Sequence, residues 1–268
     1  MAQPDSTGSI VNMDAPDFSL RGKLALITGS AQGLGFSIAQ AYAASGARVI
    51  INGRNAQRVN DAVERLARQG FTAYPLVMDI GRLRELQGRY EKIQADWGTP
   101  DILVNNVGVR IRKSLAQASL DEVLELINID LVAGVQLSKL AAQAMVGQGT
   151  AGRIITLTSI AGQLARPGDA IYPVAKQGLT GLVRALAVEF GAHGITSNGI
   201  APGTFVTETN RDLAADPVRG PAVAARNPLG RWGQPHEIAG AAVFLASPAA
   251  SYVNGHILVV DGGFSITF

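Results

Sequence analysis

The chain contains no cysteine, which removes disulfides, thiolate catalysis and thiolate-ligated zinc together. Histidine is nearly as scarce. His193, His236 and His256 are the only three, and none pair at metal-ligand spacing, so no metal site is expected. Charge of one sign is lacking too: 23 Lys and Arg stand against 21 Asp and Glu, with no run of five like charges. That balance argues against a surface for nucleic acid or anionic membrane. No apolar run approaches the roughly 18 residues of a membrane span. The stretch from Met1 to about Asp17 has neither the basic start nor the apolar core of a secretory signal. Residues 1–19 therefore read as a flexible tail ahead of a cytoplasmic domain over 20–268.

What is abundant is apolar surface and glycine. Hydrophobic residues make up 47% of the 268 and charged residues 16%, ample for a large core and too apolar for disorder. The 31 glycines are spread without a Gly-X-Y period, which excludes collagen and suits many tight turns. From Gly22 onward short apolar runs alternate with longer amphipathic segments. The runs are Leu24–Thr28, Arg48–Asn52, Thr72–Met78, Ile102–Asn105, Arg153–Thr158, Ile195–Ile200 and Ile257–Val260. Their near-continuous apolar character predicts strands buried on both faces. Helical patterns cover Leu34–Ser45, Ala56–Arg68, Arg82–Asp96, Leu120–Val146, Tyr172–Phe190 and Pro235–Ala246. The alternation predicts an α/β fold, a doubly wound (Rossmann) parallel sheet of about seven strands, with helices on both faces and a single domain. Residues 204–232, with Pro217, Pro221 and Pro228 and little periodicity, read as a lid or substrate loop.

After the first run comes Thr28-Gly29-Ser30-Ala31-Gln32-Gly33-Leu34-Gly35, leading straight into a helix. Glycines there let backbone turn sharply and approach a ligand, and the helix start offers N–H groups and a positive dipole end to a pyrophosphate. Following a strand and opening a helix, the cluster predicts a dinucleotide site. An acid at the end of the second strand would select NAD. Asn52-Gly53-Arg54 stands there instead, and Arg54 can fork onto a 2′-phosphate. NADP(H) is favoured and NAD(H) stays open, because Gln32 is not basic and gives the phosphate no second cation.

Tyr172 and Lys176 are four residues apart on a predicted helix and so share a face. A phenol titrates near 10, too high for a base at neutral pH, but a neighbouring ammonium and a positive nicotinamide favour phenolate. Tyr172 is thus a candidate base for alcohol oxidation and acid for carbonyl reduction. Ser159, 13 residues earlier at a strand's carboxyl end, is placed to donate to the substrate oxygen. Pro173 puts Tyr172 at the helix entrance.

Together the cradle, Ser159 and Tyr172-Pro-Val-Ala-Lys176 resemble the short-chain dehydrogenase/reductase family, from about Leu20 to Gly263. That resemblance implies further roles. Gly29, Ser30, Gly33, Leu34 and Gly35 would cradle the cofactor, with Asp79 and Ile80 at the adenine. Asn106 and Gly108 of Asn-Asn-Val-Gly would also lie near it. Pro202, Gly203, Phe205 and Thr207 would hold the nicotinamide carboxamide, and Tyr172 and Lys176 would touch the cofactor as well. It further implies a homotetramer built through the two long helices and the C-terminal strand.

One position departs from the family pattern. Asp130 occupies the place of an Asn that supports a helix kink and a proton-relay water beside the Lys. An Asp there adds a buried charge that would pair with Lys176 or stay protonated, and so modify the pH optimum.

Within the family, Asn52-Gly-Arg54, Gln163-Leu-Ala-Arg-Pro167 and Pro228-Leu-Gly-Arg-Trp-Gly233 are similar to gluconate 5-dehydrogenases, as is Val253–Gly263. A small polyol or sugar acid is the substrate this implies, with Arg110 or Arg166 as a carboxylate clamp and Arg112 beside them. The alternatives are a 3-oxoacyl or other carbonyl reductase, a cofactor-binding regulatory protein, and an epimerase-like enzyme.

Overall fold

The apolar runs become strands β1 (Leu24–Ile27), β2 (Arg48–Gly53), β3 (Ala73–Val77), β4 (Ile102–Asn105), β5 (Arg153–Leu157), β6 (Thr196–Pro202) and β7 (Ile257–Val260). In the computed structural model, which describes residues 15–267, all seven are parallel and ordered β3-β2-β1-β4-β5-β6-β7. The expected tail falls mostly on residues 1–14, outside the described residues. Just after them, Asp17 O accepts from Ala249 N at 2.9 Å and the Phe18 ring lies 6.4 Å from that of Phe244.

Helices α1 (Gly33–Ala44), α2 (Ala56–Ala67), α3 (Leu86–Trp97), α4 (Leu120–Ile127), α5 (Ala133–Gly147), α6 (Ile171–Phe190), α7 (Arg211–Ala215), α8 (Arg219–Ala224) and α9 (Ala239–Ala246) complete the chain. Successive strand residues feed opposite layers, as the pleat requires. Ala25 and Ile27 pack with Ile38 and Tyr42 of α1, Val59 of α2 and Leu245 of α9. Leu24 and Leu26 pack with Tyr90 of α3 and Leu137 and Met145 of α5. Both faces of β1 are therefore dry, which is why its sequence shows no alternation. The strand order reverses at β1, whose neighbours are β2 and β4. A crevice at the carboxyl ends of β1 and β4 follows from that reversal.

Two expectations are corrected in detail. The single helix expected over 120–146 is broken by a π turn at Asn128–Val132, which carries Asp130 inward so that its Oδ1 accepts from Val109 N at 2.6 Å. Inserted turns of this kind gather at functional sites. The stretch over 204–232, expected to be irregular, contains α7 and α8. It is anchored by buried Trp232, whose Nε1 donates to Gly220 O at 3.0 Å. No helix among the described residues is long and apolar enough to cross a membrane.

Candidate active site

A recess of about 400 Å³ opens where β1, β2 and β4 end. Its floor is the glycine turn. Gly29 and Gly33 have φ of 61° and 59°, the left-handed region that side-chained residues avoid. At Gly35 a Cβ would lie 2.5 Å from Asn106 Nδ2 and 2.6 Å from Gly29 O, so only a hydrogen fits. Asn106 locks the turn from the other side, with Nδ2 donating to Thr28 O at 2.8 Å and Gly29 O at 3.1 Å. Helix α1 starts from Gln32 without a side-chain cap and with no acid in its first turn. Its first N–H groups and positive end are left for an anion lying over the turn, and a dinucleotide pyrophosphate fits that cradle.

Leu34, Arg54, Asp79, Ile80, Gly108 and Thr207, named as cofactor residues from the sequence, also line the recess. Ser30 does not: its buried Oγ donates to Ile27 O at 2.7 Å and accepts from Asn52 N at 3.0 Å, tying β1 to β2. Asn52, in the position where an acid would read NAD, is also spent on the framework. Its Nδ2 donates to Leu76 O and Met78 O at 3.1 and 3.0 Å.

The rim is more basic than the sequence suggested. Arg54 Nη1 lies 4.0 Å from Asp79 Oδ2, and Arg58, on the first turn of α2, donates from Nη1 to Gln32 Oε1 at 3.1 Å. Both arginines line the recess. Arg58 thus brings a second cation to the rim beside Gln32. The available signal was an arginine four residues after Arg54.

Beyond the recess, Tyr172 is the second residue of α6 and half-buried, and Lys176 one turn on is buried. Lys176 Nζ lies 5.4 Å from the Tyr172 ring centroid and donates to Leu157 O at 3.4 Å, two residues before Ser159. Ser159 ends that strand's run, and its Oγ accepts from Ala161 N at 3.1 Å. Strand β5 and helix α6 therefore bring Ser159, Tyr172 and Lys176 to one end of the sheet.

Asp130 Oδ2 lies 3.5 Å from Lys176 Nζ, the pairing foreseen as one outcome of the departure at 130. Burial pushes the Asp130 carboxyl above the usual range, with Lys176 and the Val109 N–H pulling the other way. Gly108 is wedged between the two: a Cβ there would stand 2.9 Å from Lys176 Nζ and 3.1 Å from Asp130 Oδ2.

Arg110 and Arg166 do meet near Tyr172, through a residue the sequence analysis overlooked. Both donate to Oδ2 of Asp169, a buried carboxylate, Arg110 through Nε at 3.0 Å and through Nη2, Arg166 through Nε at 3.3 Å. Arg112 makes no side-chain hydrogen bond among the described residues. Its guanidinium is held below the usual range by burial, then by repulsion from Arg110, Arg166 and Arg219. Only a buried carboxylate three residues before Tyr172 hinted at this cluster, and loop acids are usually exposed.

Pro202 and Gly203 close β6, with Gly203 pressed onto Asp261. Phe205 turns its ring into the core against Gly233, leaving only its backbone for the role expected of it.

A family model described as enoyl-(acyl carrier protein) reductase matches residues 29–265. The chain is a short-chain dehydrogenase/reductase. That family is one of NAD(P)-dependent oxidoreductases. Among curated relatives, gluconate 5-dehydrogenase of Gluconobacter oxydans is 38% identical over 256 residues, covering 95% of this chain and 100% of that protein. The 5-keto-D-gluconate 5-reductase of Escherichia coli is 39% identical over 249 residues, covering 93% and 98%. A crystal structure of gluconate 5-dehydrogenase from Burkholderia cenocepacia, in complex with NADP and tartrate, superposes with a TM-score of 0.90 at 36% identity, covering 94% and 99%.

Proposed function

We propose that this short-chain dehydrogenase/reductase interconverts the secondary alcohol and ketone of a sugar acid with NADP(H), as gluconate 5-dehydrogenases do. The observation that carries the substrate class is the group Arg110, Arg112 and Arg166 next to Tyr172, which sets three guanidinium groups against the single carboxylate of Asp169. That surplus suits an anionic small molecule, and Arg112, free of side-chain partners among the described residues, is the best-placed clamp. A neutral acyl chain would gain nothing from it.

When bound, the nicotinamide accepts or supplies the hydride. The chain's own residues do the rest. Ser159 donates a hydrogen bond to the substrate oxygen. Tyr172 takes the hydroxyl proton in oxidation and returns it in reduction. Lys176 stabilises the phenolate, and Asp130 holds the ammonium in place. Arg54 and Arg58 read the 2′-phosphate, and the turn at Gly29–Gly35 holds the pyrophosphate. The segment over 204–232 is a lid: Thr207, Glu208 and Thr209 line the recess, and Glu208 Oε2 lies 3.3 Å from where a Cβ on Gly33 would stand. We further place the protein in the cytoplasm, as a homotetramer.

The test is a spectrophotometric screen of sugar acids and polyols with NADP+ and with NAD+. NADP+ reduction by gluconate or a near relative, lost by at least about a hundredfold in Tyr172→Phe, is the expected result. Turnover of neutral polyols alone would overturn the sugar-acid reading. Binding of NADP+ without turnover of any alcohol would make the protein a sensor.

A further inference from the structure

The Tyr172 ring has two cations near it, supplied by different elements. Lys176, on α6, has its Nζ 5.4 Å from the ring centroid. Arg110, on the loop after β4, has its guanidinium carbon 4.6 Å from the same centroid. Each cation is backed by a buried carboxylate, Asp130 behind Lys176 and Asp169 behind Arg110. The reaction as described above uses the first pair and leaves the second without a task.

We propose that Asp169 is a positioning residue, whose buried carboxylate fastens the Arg110 guanidinium over Tyr172 so that the phenolate meets a second cation besides Lys176. The inference rests on Tyr172 being the proton-transfer group.

Three observations carry it. Arg110 reaches Asp169 Oδ2 through both Nε and Nη2, and a guanidinium held by two donors has its plane and position fixed. Asp169 Oδ1 is buried and unpartnered, so the loop keeps an incompletely satisfied carboxylate, which an apolar staple would avoid. Arg166 shares Oδ2 at 3.3 Å, and two guanidinium groups on one carboxylate leave positive charge beside the ring. Whenever Asp130 is ionised, its Oδ2 at 3.5 Å likewise offsets part of the Lys176 ammonium. A neutral ring gains only a cation–π contact from Arg110, whereas a phenolate gains a charge–charge attraction. The guanidinium therefore favours the charged form.

Other charges stand around this end of α6: Arg112 beside Arg110, and Arg219 on α8, which Arg112 senses together with Arg166 and Asp169. None of them is shown against the ring. Commitment of two Arg110 donors to Asp169 also makes Arg110 a worse substrate clamp than Arg112.

The experiment compares wild type with Arg110→Met, Arg110→Lys, Asp169→Asn and the double variant Arg110→Met/Asp169→Asn. First, the tyrosinate absorbance of each is titrated without cofactor or substrate. The chain has five tyrosines, so the Tyr172 contribution is isolated by subtracting the matching Tyr172→Phe protein. Second, the pH profile of kcat/KM is recorded with the best substrate of the screen, at saturating NADP+. In Arg110→Met the isolated tyrosinate titration and the ascending limb both move to higher pH. At neutral pH kcat falls about tenfold while KM changes little. Arg110→Lys recovers part of the loss, Asp169→Asn moves the same way, and the double variant is no worse than Arg110→Met.

An unmoved titration in Arg110→Met would overturn the proposal, even if turnover fell. So would a loss confined to KM for acidic substrates, the signature of a clamp. An unmoved titration in Asp169→Asn would overturn it as well, and should that variant fail to fold, Asp169→Glu, whose longer side chain displaces the guanidinium, must move the titration the same way. Full activity of Tyr172→Phe would instead remove the acid–base reading, an outcome separate from any of these.

Discussion

Asp130 sits 3.5 Å from Lys176 with almost none of its surface exposed, so its charge is decided by two opposed effects. Burial disfavours the carboxylate, while Lys176 and the Val109 N–H favour it, and burial is the larger. The folded protein thus holds a proton on Asp130 at pH values where the unfolded chain has released it. Stability contributed by this group is present at low pH and lost as pH rises toward the raised folded value. Asp130→Asn removes that dependence while Oδ1 can still accept from Val109. Urea denaturation of the two proteins across the weakly acidic range should therefore show the variant gaining on wild type with rising pH. The gain is at most about 1.4 kcal/mol per pH unit within the window. A flat difference would mean that Lys176 and the Val109 N–H balance burial, and one falling with pH that they outweigh it. At this scale the meeting of Ser159, Tyr172 and Lys176 at one end of the sheet was legible, because Tyr172 and Lys176 stand one helical turn apart and Ser159 follows the end of a strand, while Asp130 stood out only as a departure from the family pattern. Asp169 was not legible. Its role depends on Arg110, 59 residues away in sequence, and no local pattern joins them.

Helix α2 begins immediately after β2, and its first turn brings Arg58 back to the rim occupied by Arg54. This placement sets two arginines on one rim, the feature on which the proposed reading of a 2′-phosphate rests. Calorimetric titration should find NADP+ bound about tenfold more weakly by Arg54→Ala and by Arg58→Ala, a loss of about 1.4 kcal/mol each, with NAD+ affinity little changed. Equal loss for both cofactors in Arg58→Ala would reduce that residue to a brace for Gln32. Element existence was read correctly through hydrophobic period, but the break at Asn128–Val132 was hidden. Leu126, Ile127, Ile129, Leu131 and Val132 continue an apolar helical pattern straight through it, and the inward turn is decided by Val109 and Lys176, which belong to other elements. Helices α7 and α8 were missed for the opposite reason. Five and six residues long, they are too short to show a period.

The sheet was legible because its inner strands β1 and β4, buried on both faces, are nearly continuous apolar runs, whereas β6 opens Thr-Ser-Asn-Gly although every residue of it is buried. What the alternation of runs cannot reveal is the outer surface, where the same side chains serve burial within a chain or between chains. The structure identifies apolar side chains that one chain leaves uncovered. On α6, Val174 and Val188 are 60% and 86% exposed. They lie 14 residues apart, near four turns, and so share a face. Leu120 and Leu124 of α4 are also exposed, one turn apart. Apolar side chains aligned along two neighbouring helices are the pattern expected of a subunit contact, and they lie on the two helical segments that the family resemblance assigned to assembly. Light scattering after size exclusion should accordingly give the mass of a tetramer for wild type. Val188→Glu, placing a charge on the exposed apolar face in the last turn of α6, should yield a smaller species with unaltered circular dichroism, because an unpaired charge at a dry contact is not tolerated. A wild-type monomer would show that this face is solvent-exposed in the working protein. A tetramer unaffected by the glutamate would move the contact away from α6. The active site bears on the outcome as well, since Tyr172 and Val174 stand two residues apart on the first turns of the same helix. Dissociation that loosens those turns would lower kcat before it changes the affinity for NADP+, whose cradle lies on β1 and α1.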